Sequence, residues 1–82
     1  MPRYHFDMQD GEGLFVDDVG LDLPDMDAAI KEARRALADM VRDSLRETSR
    51  GLLSIRIRDG ADGPVVLSVT LSTVTPADKA LE

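Results

Sequence analysis

Cysteine and tryptophan are absent from the 82 residues, and histidine occurs once, at His5. Without cysteine no disulfide can supplement the core, and a thiolate metal site is excluded. A single histidine argues against a zinc site as well, so neither a metal nor another cofactor is expected. Apolar runs such as Val65-Val66-Leu67 are only a few residues long, far short of the roughly 20 that a membrane-crossing helix needs. The first residues lack the basic-then-apolar pattern of a secretory signal. The expectation is a cytoplasmic protein with no membrane contact.

Charge is present but unevenly spread. The net charge is −6. Residues 1–27 carry −7, with eight acids against Arg3; residues 28–50 carry +2; residues 51–82 carry −1. Nucleic-acid binding draws much of its affinity from neutralised phosphates. An acidic chain with one mixed basic helix face argues against that function. The acidic first third fits a basic protein partner, although acidity also serves solubility. A core of this size supplies only about 3–5 kcal/mol of net stability, and homodimerisation is a common way to bury more surface.

The periodicity is informative. Tyr4, Phe6 and Met8 alternate with His5, Asp7 and Gln9, the period of a strand with one buried face. Asp10-Gly11-Glu12-Gly13 is hairpin-turn chemistry, read as a four-residue loop into a short strand, Leu14-Phe15-Val16-Asp17. Asp18-Val19-Gly20 marks a second turn. Leu21-Asp22-Leu23-Pro24 is extended, because proline drives the preceding residue out of the helical region. Asp25 suits an N-cap and Asp27 the positive end of a helix dipole. Met26, Ala29, Ile30, Ala33, Leu37, Met40, Val41 and Leu45 then recur at spacings of three and four. That predicts an amphipathic helix over about residues 25–50, with Gly51 as its C′ residue.

Leu53, Ile55 and Ile57 alternate with Ser54, Arg56 and Arg58, a third strand. Asp59 to Pro64 is a turn, and Val65, Leu67, Val69 and Leu71 face one side of a fourth strand that Pro76 ends. The fold class predicted is α+β, ββαββ, with one amphipathic helix on one face of an antiparallel four-stranded sheet. Residues 1–75 form one domain and residues 76–82 a frayed tail. Leu81-Glu82 has the look of a cloning remnant and carries no weight.

His5 and Asp7 share the polar face of the first strand. A carboxylate near an imidazole raises its pKa and can orient it for proton transfer. If the third strand lies alongside, Arg56 and Arg58 join them. These four residues are the candidate binding site. The ordinary reading of the same face is a solvated sheet with cross-strand charge pairs, and no serine is marked as a nucleophile. Asp7, Asp10, Glu12, Asp17 and Asp18 crowd the first hairpin, but their spacing does not match a calcium loop, and solvated turns are the simpler reading. Asp59 and Asp62 give a similar, weaker signal.

Met1-Pro2-Arg3-Tyr4-His5-Phe6, then Asp10-Gly11, Asp17-Asp18-Val19-Gly20 and Leu23-Pro24-Asp25 before an alanine-rich helix, resemble a set of small bacterial domains of unknown function. These are common in rhizobia and related alphaproteobacteria and begin M-P-R-Y/F-x-F. The resemblance covers most of the chain, strongest over residues 1–50, and implies no activity and no site residues. A fainter similarity is to antitoxins of the HicB type, which also place two strands and a proline-containing loop before an amphipathic helix. This chain lacks their glycine-and-aromatic spacing and an appended DNA-binding segment, and fold analogy does not fix function. The reading that follows is a small protein-interaction or regulatory module without catalytic activity, homodimeric. The alternatives are an antitoxin-like inhibitor of a basic protein partner, and a small enzyme using His5 and Asp7.

Overall fold

In the computed structural model of the chain, residues 1–47, 50–58 and 63–79 are described. The elements are β1 (Arg3–Asp10), β2 (Gly13–Phe15), β3 (Leu21–Asp22), α1 (Met26–Glu47), β4 (Gly51–Arg58), β5 (Val65–Leu71) and a short α2 (Pro76–Lys79). Among the described residues all strand pairing is antiparallel, in the order β2-β1-β4-β5, with β3 also on β1. The class is α+β as expected, but the sheet has five strands rather than four.

The fifth strand arises because the segment after β1 returns to the same edge twice. β2 pairs Met8 with Phe15 and Asp10 with Gly13. The chain then leaves the edge and comes back as β3, pairing Arg3 with Asp22 and Tyr4 with Leu21. The extended Leu21-Asp22 segment is therefore a strand. The first hairpin loop is Gly11-Glu12, two residues rather than four. Asp10 shapes it by accepting hydrogen bonds from the amides of Glu12 (2.8 Å) and Gly13 (3.1 Å), an Asx-type turn.

Asp25 caps α1, its Oδ1 accepting from the Ala28 amide at 2.9 Å. Ala29, Ala33 and Leu37 are the buried residues of the helix stripe. They form one cluster with Tyr4 of β1 and Leu53, Ile55 and Ile57 of β4. Phe6, Met8, Met26, Met40 and the inward residues of β5 pack around it, half-buried. The structure departs from the expected helix in two ways. Twenty-two helical residues span about 33 Å, and an eight-residue strand about 26 Å. The last turn overruns the sheet, so Leu45, expected on the buried stripe, is exposed. Gly51 does not serve as a C′ residue; it opens β4, paired with Leu71.

Ser54, Arg56 and Arg58 lie on the sheet face opposite α1, with His5, Asp7 and Gln9 beside them. No helix among the described residues is long and apolar enough to cross a membrane. The Asp59 to Asp62 turn and Leu81-Glu82 lie outside the described residues.

Candidate functional site

β1 and β4 together bring the four candidate residues to one face. The register sets His5 opposite Arg58 and Asp7 opposite Arg56. The ion pair that forms is the diagonal one. Arg58 Nε donates to Asp7 Oδ2 at 2.9 Å and Nη2 to Oδ1 at 3.4 Å. Arg56, directly across from Asp7, points to solvent.

The reason lies in a residue outside the four. Between β2 and β3 the chain folds over this face, and Asp17 holds it there. Its Oδ2 accepts the Phe6 amide at 3.0 Å, and its Oδ1 accepts the amides of Val19 and Gly20, each at 3.0 Å. Phe6 has no ladder partner on this edge between β2 and β3, so the carboxylate replaces a missing strand. The Asp17 amide in turn donates to Asp7 Oδ1 at 3.0 Å, and its carbonyl accepts from Arg58 Nη2 at 2.8 Å. Arg58 thus spans Asp7 and the loop, and the loop buries Asp7 on the solvent side of the sheet.

Gly20 completes the closure. It adopts φ of +79°, a conformation that favours glycine. A Cβ there would lie 2.8 Å from Arg3 Cγ and 2.9 Å from His5 Nε2. Arg3 reaches over the same loop, donating to the Val19 carbonyl at 3.1 Å and to both oxygens of Asp22, at 3.0 and 3.3 Å.

The electrostatics follow this geometry. Arg58 hydrogen bonding holds the Asp7 carboxyl below its ordinary range, against the opposing effect of burial, with the Asp17 amide adding to it. The Gly20 amide, followed by those of Phe6 and Val19, lowers Asp17 in the same way. A carboxylate so held stays ionised at neutral pH and is a weak proton acceptor. Among the described residues no buried side-chain nitrogen or oxygen lacks a partner, and no three His, Asp or Glu side chains converge as a metal site.

Sequence reasoning placed His5, Asp7, Arg56 and Arg58 on one face, as they are, but missed Asp17 and Gly20. The signal was there: an aspartate two and three residues before Val19 and Gly20 is the spacing of an Asx turn. A concavity lies elsewhere. It is a groove of about 490 Å³ between the first hairpin, the end of α1 and the start of β4. Four acids, Asp10, Glu12, Asp43 and Glu47, and one base, Arg50, stand around Met40 and Leu53 there.

A family model described as Domain of unknown function (DUF6894) matches residues 3–72. The chain belongs to this family. The match spans all five strands and α1, so the Asp7–Asp17–Arg58 clasp lies wholly within the DUF6894 domain. No curated protein and no solved structure matches the chain.

Proposed function

We propose that this DUF6894 domain is a cytoplasmic protein-interaction module, homodimeric and without catalytic activity. The observation that carries the reading is the sheet face opposite α1. Leu14, Leu52 and Val66 stand on it 60, 57 and 59% exposed, with Val66 paired opposite the exposed Arg56. Large exposed apolar residues sharing one surface with an arginine are the composition of a protein contact. Of the four candidate residues, Arg56 is the exposed one, which supports it as the partner contact. Asp7 and Arg58 are engaged in the clasp, which removes support from an enzyme built on His5 and Asp7.

Light scattering from micromolar to millimolar concentration tests the homodimer. The expected mass is twice the 9.0 kDa of the chain, and a strict monomer throughout overturns it.

The groove beside the first hairpin favours a second reading, an antitoxin-like inhibitor of a basic protein. Four carboxylates against the single guanidinium of Arg50, beside Met40, Leu53 and Leu71, leave the groove net acidic and suit a lysine- or arginine-rich segment. Calorimetric titration with a lysine-rich amphipathic peptide tests it. Binding that weakens as salt is raised supports it, and no heat at low ionic strength sinks it.

A further inference from the structure

The two edges of the sheet are built in opposite ways. The β2/β3 edge consists of strands of three and two residues, interrupted by the loop that Asp17 holds and flanked by Asp18 and the exposed Arg3–Asp22 pair. Short strands, charges and a covering loop are the devices that keep an edge from pairing with another chain. Among the described residues β5 has none of them. Val65-Val66-Leu67-Ser68-Val69-Thr70-Leu71 is seven residues long and carries no charge, proline or glycine. Among the described residues it pairs only with β4. Its inward side chains, Val65, Leu67, Val69 and Leu71, are half-buried, whereas Leu53, Ile55 and Ile57 of the neighbouring strand are fully covered. The core is left unfinished along this side.

We infer that two copies of the chain join through β5, antiparallel and centred on Ser68, to make one continuous sheet. This rests on the homodimer proposed above and names its seam. An antiparallel pairing keeps helix-side residues together only if the two partners are an even number of positions apart. Centring on Ser68 meets that condition and pairs all seven residues. Val65 then faces Leu71 of the other copy, and Leu67 faces Val69, on the helix side. On the open side Val66 faces Thr70, and Ser68 faces itself. No like charges oppose one another, which is what a strand needs to pair with its own copy. An uncharged edge also offers no electrostatic selection for a different partner. The two Arg56 side chains stand three strand spacings apart across the sheet and four residues apart along it, roughly 20 Å, beyond the range of strong repulsion in physiological salt.

The chain has no cysteine, so an introduced thiol is unique. Ser68→Cys in the full chain, under mild oxidation, is expected to give a covalent dimer. Ser54→Cys, on the same face but one strand inward, is expected to give none, because its copy lies too far for a disulfide. Ser68→Lys, at an exposed position, is expected to retain the circular dichroism of the parent and to raise the dimer dissociation constant about tenfold or more by setting two lysines opposite each other. A dimer that neither cross-links through Ser68→Cys nor weakens with Ser68→Lys overturns the seam and leaves the homodimer standing. A monomer at all concentrations overturns both.

Discussion

Arg58, which its register sets opposite His5, bonds diagonally to Asp7, and the same guanidinium reaches the Asp17 carbonyl. One arginine therefore ties β1, β4 and the β2–β3 loop. Asp7 is buried beneath a single loop and Arg58 is about a third exposed. Breaking the pair should cost less than a deeply buried one, about 1–3 kcal/mol. Asp7→Asn is expected to lower the urea midpoint accordingly. Arg58→Lys should recover only part of the parent value, because an ammonium cannot fork between carboxylate and carbonyl.

The acid limb of stability carries the same signature. Asp7 and Asp17 both have folded pKa values below the ordinary 3.8. A carboxyl of that kind contributes stability that is complete above its unfolded pKa and is lost as pH falls through its folded value. Urea midpoints should hold steady from neutral pH down to about 4 on this account and fall below it. In Asp7→Asn the fall should be shallower, with Asp17 still titrating. An unchanged acid slope in that variant would show that Asp7 gains nothing from Arg58 on folding.

Asp17 offers a test with residue-level resolution. Its two oxygens have separate duties, Oδ1 for Val19 and Gly20 and Oδ2 for Phe6. Asp17→Asn keeps one carbonyl oxygen, which can hold the turn while leaving the Phe6 amide facing an NH₂ group. Hydrogen exchange measured by NMR should then show faster exchange at Phe6 with the turn amides still protected. Asp17→Ala should expose all three and destabilise by about 1–3 kcal/mol. Equal protection at Phe6 in the parent and Asp17→Ala would mean the carboxylate does not replace the missing strand.

These contacts explain what could and could not be read from the chain. Alternation at Tyr4, Phe6 and Met8, and at Leu53, Ile55 and Ile57, follows from local geometry with period two, and the Ala29/Ala33/Leu37 stripe from period 3.6. Those faces meet as expected. Asp7 and Arg58 are 51 positions apart, and which arginine takes the carboxylate depends on a loop whose path is set by Asp17. That choice is tertiary. The short β3 was visible only as an extended segment, because two residues carry no period. Gly51 looked like a helix terminator for a purely local reason, and pairing with Leu71 overrode it.

The last expectation concerns Gly20. Its φ of +79° disfavours any residue with a Cβ, and the space beside it is occupied by Arg3 Cγ and His5 Nε2, 2.8 and 2.9 Å from where that Cβ would sit. Backbone strain alone contributes about 1–2 kcal/mol, and Arg3 must shift its stem as well. Arg3 binds both Asp22 and the Val19 carbonyl, so moving it loosens the β1–β3 pairing. Gly20→Ala should therefore lower the urea midpoint by more than the strain alone requires and should speed amide exchange at Leu23, whose N–H donates to the Pro2 carbonyl at 3.0 Å next to that pair. Combining it with Arg3→Ala removes one of the two obstructions, so the pair should cost less than the sum of the single changes. Strict additivity would place the entire effect in the backbone and none in the crowded contact.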